Sequence, residues 1–237
     1  MNFSAELKTQ MAPMLESNPE LSMWVNFAAD ETVETTPQLS EDDRWLAIYA
    51  VLLGSGGADL FQEMLEAGYR AGFSPVKTRE VLYQSIAYLG MSRVYPFVEV
   101  FSAFVDDHDI QFENGTQVKD RLIDGNSKQI ELFGPQMEKS WEKAPADRVL
   151  MNKFLADNCF GDYYTRKGLD NRERELVTFC YNYAQGGADA QATAHARANF
   201  AAGNSAEYLV AVIDACVPYL GYPRSLNGLT CVENAQK

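Results

Sequence analysis

Leu39-Ser40-Glu41-Asp42-Asp43-Arg44-Trp45-Leu46 and Leu169-Asp170-Asn171-Arg172-Glu173-Arg174-Glu175-Leu176 are two versions of one passage. Their comparison decides the fold. Each runs on to the same turn, Gly56-Gly57-Ala58-Asp59 in the first and Gly186-Gly187-Ala188-Asp189 in the second, at an offset of 130. One inserted residue moves the offset to 131, which pairs Gly72 with Gly203, Tyr88-Leu89-Gly90 with Tyr219-Leu220-Gly221, and Arg93 with Arg224. A match that keeps turn and apolar positions in register over such a length marks a duplication.

The period inside each copy is helical. Leu46, Tyr49, Ala50 and Leu53 recur at i, i+3, i+4, i+7, as do Leu176, Phe179, Cys180 and Tyr183. The Gly-Gly that follows ends the helix. Ser74-Pro75 starts a third helix, with proline at its first turn, and a fourth carries Val94, Phe97, Phe101 and Phe104 inward. No segment alternates long enough to be a strand. The expected fold is all-α, two tandem helical-bundle units, with domains at 1–111 and 112–237 and a junction rich in Asp, Asn and Gly between Asp106 and Asn126.

Composition narrows the function. The 237 residues are 46% hydrophobic, enough for a packed core, and the net charge of −13 repels nucleic acid and anionic membranes. The longest apolar run, Trp45 to Leu53, is too short to span a bilayer. Met1 to Glu6 lacks the basic and apolar stretches of a signal peptide, so a cytoplasmic location is expected. The four cysteines all fall in the second half without a Cys-x-x-Cys pair and read as reduced thiols. Asp106-Asp107-His108-Asp109 lacks a second histidine and reads as a solvated helix end rather than a metal site.

Two residues break the repeat in a chemically pointed way. His195 stands where the first copy has Met64, and Glu175 where it has Trp45. An imidazole at an apolar position needs a partner or a cavity, and it titrates where acid–base work is useful. Glu175, on the preceding helix, could orient it. The bland alternatives are a satisfied core histidine and a solvated first-turn glutamate. Arg172 and Arg174 are candidate anion-binding groups through their bidentate forks, although Arg44 repeats Arg174, as a helix-tying ion pair would. Cys180, on the inward stripe, reads as a buried inert thiol.

The second half resembles the carboxymuconolactone decarboxylase family. Phe160-Gly161-Asp162-Tyr163-Tyr164 through Leu169-Asp170, with Arg172, Arg174 and Leu176, is similar to the stretch leading into that family's first core helix. His195 with Gly203 is similar to its His-bearing helix, and Tyr219-Leu220-Gly221-Tyr222-Pro223 with Leu226-Asn227 to its Tyr-x-Gly-x-Pro segment. Arg121 to Gly134 fits its N-terminal helix. The likeness covers about 116–237; the first half matches only the core, roughly 39–105, and less well.

The resemblance implies an all-α fold, ring-forming subunits and a carboxy-lyase reaction that needs neither metal nor organic cofactor. The substrate class it implies is a small anion of the 4-carboxymuconolactone type, a carboxylated lactone or keto acid. Six units in a ring would make this two-unit chain a homotrimer. The related alkylhydroperoxidase-D enzymes use Cys-x-x-Cys-x-x-x-His, but here Ala188 and Gln191 stand at the cysteine positions. A thiol-dependent peroxidase would need Cys180 or Cys216 beside His195. A non-catalytic helical assembly protein is the other rival. The family more often carries a small residue at position 175, so Glu175 rests on the residues alone.

Overall fold

The computed structural model describes residues 2–237, and among these the regular elements are all helical. Helix α1 (Phe3–Ser17) and the short helices α2 (Ser22–Asn26) and α3 (Thr32–Thr35) lead into four helices: α4 (Glu41–Ser55), α5 (Ala58–Arg70), α6 (Pro75–Leu89) and α7 (Met91–Asp107). After an irregular segment come α8 (Arg121–Phe133) and α9 (Val149–Phe154), the latter continued by a π-helical stretch, Leu155–Tyr164. Four more helices follow: α10 (Asn171–Gln185), α11 (Asp189–Ala202), α12 (Ala206–Leu220) and α13 (Tyr222–Ala235). The lengths of α4 to α6, 15, 13 and 15 residues, are matched by 15, 14 and 15 in α10 to α12.

Helices α4 and α10 pack against each other at the centre, with α12 on α4 and α6 on α10. Both are enclosed on all sides: α4 is buried from Asp43 to Gly54 and α10 from Glu173 to Ala184. The amphipathic stripe expected for these two helices is therefore corrected, because each copy lays helices on the other's polar face. Polar residues there survive by pairing. Ser40 caps α4 by accepting from the Asp43 N–H, and Asp170 caps α10 in a capping box with Glu173. Gly56 takes the left-handed conformation that closes α4.

One buried apolar core runs through both copies. The boundary expected at 111/112 falls in the irregular segment 108–120, and α8 starts at Arg121, before the expected end of the junction. Beneath this segment lies an ionic hub on α6. Glu80, fully buried, takes two hydrogen bonds from Arg166 at 2.8 and 2.9 Å and lies 3.3 Å from Arg79 and 3.5 Å from Arg174. Arg79 also donates to the Glu113 carbonyl and Arg166 to Thr116, which straps the connection down.

Above α4 and α10 the two copies trade polar partners. Lys77 of α6 bonds Asp42 of its own copy and Glu173 of the other, both at 2.7 Å. Tyr208, its equivalent on α12, bonds Asp43 across the copies and lies 3.5 Å from Arg172 in its own. The Val94–Phe104 face of α7, a candidate for an interface between subunits, is used up inside the chain. Phe97 packs edge-on against Phe61, and Tyr69 packs edge-on against Phe104.

Candidate functional site

A cavity of about 540 Å³ opens beside α11. His195, near its middle, comes from α11; Asn182 and Gln185 come from α10, and Gln129 and Phe133 from α8. The π-helical stretch contributes Leu155, Cys159 and Phe160. Tyr88 and Ala87 close it from α6, so the first copy builds one wall of a site in the second.

His195 and Glu175 meet there. The imidazole Nδ1 lies 2.7 Å from Glu175 Oε2, with Glu175 fully buried and His195 9% exposed. With Glu175 as a carboxylate, which can only accept, Nδ1 carries the hydrogen and Nε2 is the ring nitrogen without a protein partner among the described residues. Asn199 locks the pair, since its Nδ2 donates to the carbonyls of Glu175 and His195, both at 2.7 Å, tying α10 to α11. The rings of Tyr88 and Phe133 stand edge-on to the imidazole, at 5.4 and 5.9 Å between centroids. Glu175 Oε1 has no partner among the described residues.

The two arginines are placed elsewhere, which corrects their reading as substrate-binding groups. Arg172 bonds Asp43 at 2.7 Å and Asn204 at 3.1 Å, on the seam between the copies. Arg174 is 1% exposed and donates to Gln84 Oε1 at 2.6 Å and to the Arg166 carbonyl at 2.6 Å. Neither lines the cavity. Both are consumed in joining the copies, a demand that a single unit of sequence does not reveal. Arg44 shows the same position without its partners. Ala211 and Ala215 stand where the other copy has Glu80 and Gln84, and Arg44 Nη1 has no partner among the described residues while Nη2 turns to Thr36.

The thiols are also redistributed. Cys180 and Cys216 are fully buried in the core, where burial pushes both thiols up. The cysteine in the cavity is Cys159, which no spacing to His195 pointed to. Burial pushes its thiol up to about 12; a hydrogen bond with Tyr88 works against this and the charge of Glu175 adds to it. Among the described residues no group of three or more His, Cys, Asp or Glu side chains is placed to hold a metal ion, and no helix is long and apolar enough to cross a membrane.

The equivalent place in the first copy is filled. Trp45 and Met64 are fully buried, and Phe3 packs on Trp45 at 4.8 Å. Tyr219, the equivalent of Tyr88, meets Trp24 edge-on at 5.8 Å, and Trp24 donates its indole N–H to the Pro218 carbonyl.

An all-helical scaffold with a carboxylate–imidazole pair at the wall of a mainly apolar cavity defines a class of small-molecule site suited to proton transfer. Residues 150–234 match the family model described as the Carboxymuconolactone decarboxylase family, and this C-terminal segment is similar to that family. No curated protein matches the chain.

Proposed function

We propose that the protein is a cofactor-free carboxy-lyase acting on a small carboxylated lactone or keto acid of the 4-carboxymuconolactone type, with His195 delivering the proton. The observation that carries this reading is the contact between Glu175 and His195 Nδ1 beside a cavity that His195 lines, which makes Nε2 the nitrogen available to a ligand. Phe133, Met137, Leu155 and Phe160 strip water from a bound carboxylate, and loss of carbon dioxide spreads its charge. Recognition falls to neutral amides. Gln129 lines the cavity, its Oε1 accepts from Asn126, and its amide N–H groups have no partner among the described residues.

In the reaction the bond between the carboxylate and its neighbouring carbon breaks, and carbon dioxide leaves. The electron pair moves into the adjacent carbonyl to give an enolate. The imidazolium form of His195 then gives its Nε2 proton to the carbon and recovers one from water, while Glu175 holds the ring. The elevated Cys159 thiol does not favour the peroxidase alternative.

The test is a panel of carboxylated lactones and β-keto acids, 13C-labelled at the carboxylate and incubated in D2O. Release of labelled carbon dioxide with one deuterium in the product, abolished by His195→Gln, is the expected result. No release from any member of the panel would overturn the reading. A homotrimer is proposed with it. Leu150, Met151 and Phe154, exposed on α9, are the apolar side chains available for it in place of the α7 face. A monomer by light scattering at micromolar concentration removes that part.

A further inference from the structure

Behind the cavity runs a single file of hydrogen-bonding side chains whose direction follows from where each buried hydrogen can go. Arg174 has donors only, so the 2.6 Å contact of its Nη1 with Gln84 must meet the amide oxygen. That fixes the Gln84 amide, whose Nε2 then donates to Thr178 Oγ1 at 2.8 Å. The Thr178 hydroxyl has one hydrogen, and its other partner among the described residues is the Tyr164 hydroxyl, at 2.8 Å. A hydroxyl oxygen can accept twice, but Thr178 is fully buried, and donation to Tyr164 is what keeps its hydrogen from being stranded. Tyr164 is buried as well, and its remaining contact is with the Tyr88 hydroxyl at 2.8 Å, so its hydrogen is satisfied by donating to Tyr88. The Cys159 thiol also donates to the Tyr88 oxygen, with its sulfur at 3.8 Å.

The hydrogen of Tyr88 is then the end of the file, with no protein oxygen or nitrogen bonded to it among the described residues. Tyr88 lines the cavity that His195 lines. We infer that Tyr88 is a second catalytic residue, donating its hydroxyl hydrogen to the carbonyl oxygen of a carbonyl-bearing acid as that oxygen becomes an oxyanion. Arg174, Gln84, Thr178 and Tyr164 are positioning residues that set the direction of this bond. The proposal rests on the decarboxylase reading for its reaction, but the hydrogen bond itself does not.

The chemistry suits an enolate. A donor fixed before reaction stabilises charge that develops late, and a file of hydroxyls ending on the donor polarises it further. Tyr88 stays protonated for this role, because burial, then Cys159, Tyr164 and Glu175, hold its hydroxyl well above the ordinary tyrosine range. The first copy supplies the contrast. Tyr219 is at the equivalent position, but Ala215 replaces Gln84, Ile48 replaces Thr178, and the Tyr219 hydroxyl has no partner among the described residues.

The donor can be read without turnover. A five-membered unsaturated lactone, 2(5H)-furanone with a 13C-labelled carbonyl, is bound to the protein and its carbonyl stretch recorded by isotope-edited infrared difference spectroscopy. The expected result is a shift to lower frequency than in an alkane solvent. The shift is lost in Tyr88→Phe, reduced in Tyr164→Phe, and kept in His195→Gln. Failure of the lactone to bind, no shift in the wild type, or a shift that survives Tyr88→Phe overturns the inference. The last but one result would mean that Tyr88 turns back to the unpaired Glu175 Oε1. If the panel of acids identifies a substrate, Tyr88→Phe lowers kcat by roughly 10²–10³-fold with KM little changed. A carbonyl shift without any decarboxylation removes the carboxy-lyase reading and leaves the donor standing.

Discussion

Gly54 and Ala184 occupy the same position in the two copies, and they meet each other where α4 crosses α10. A Cβ built on Gly54 would lie 2.7 Å from the Cβ of Ala184 and 3.0 Å from the Tyr181 carbonyl oxygen. Contact between equivalent residues places a local two-fold relationship at the crossing, and the space there holds one methyl group. Gly54→Ala should gain up to ~1 kcal/mol in helix propensity and lose about 1–3 kcal/mol to overpacking, a net loss in most of that range. Adding Ala184→Gly should recover part of it, since the methyl–methyl clash goes and the carbonyl contact stays. Urea unfolding of wild type and the two variants checks this; a stabilised single variant would mean that the helices can separate freely.

The Glu80 hub leads to a larger effect. Three arginines share one carboxylate that has no access to solvent. Removing one partner from a buried ionic group leaves uncompensated charge, typically costing about 3–5 kcal/mol. Glu80→Gln should lower the urea midpoint accordingly and loosen the 108–120 connection, seen as faster proteolytic cleavage there. A midpoint within experimental error of wild type would show that the arginines find other partners.

Much of this architecture could be read from residues in order along the chain. The duplication, the turn glycines and the helical period fix α4 to α6 and α10 to α12, because those signals are local. The burial of α4 and α10 on every face was hidden, since Asp43, Glu173 and Arg174 look like solvent-facing residues until their partners in the other copy are known. The site divides in the same way. His195 and Glu175 stand out as departures from the repeat. Tyr88 does not, because Tyr219 repeats it, and its role depends on α6 reaching over the second copy. Arg172 and Arg174 are ambiguous for the same reason: a guanidinium on a helix shows its charge in sequence and its partner only in space.

Cys159 offers a chemical check on the cavity. With its thiol pushed up to about 12, it is neutral below that pH, and the reactive thiolate at pH 8 is roughly one part in ten thousand. Iodoacetamide at pH 8 should leave Cys159 unlabelled in the native protein on the timescale that labels an ordinary exposed thiol. Labelling should accelerate as pH approaches the shifted value, and unfolding should release all four cysteines. Peptide mass spectrometry reads this directly. Rapid labelling of Cys159 at neutral pH would revive a thiol-based activity.

The pairing of His195 with Glu175 predicts how their substitutions combine. Judged by the helical stripe alone, His195→Met should be innocuous, because Met64 fills that place in the other copy and fits by volume. The contact changes the expectation. Glu175 is fully buried, its Oε1 has no partner among the described residues, and losing His195 would leave Oε2 without one as well. Stranding a buried polar group costs about 1–3 kcal/mol, and more if it is charged. Replacing both partners by apolar groups of similar shape is close to neutral, so Glu175→Leu added to His195→Met should recover most of the lost stability. The double-mutant cycle should therefore show a coupling of about 1–3 kcal/mol, while every variant lacking the imidazole loses turnover. Additive losses in the cycle would mean that the pair contributes nothing as a pair. Retained turnover without the imidazole would remove His195 from the chemistry, whatever the melting curves showed.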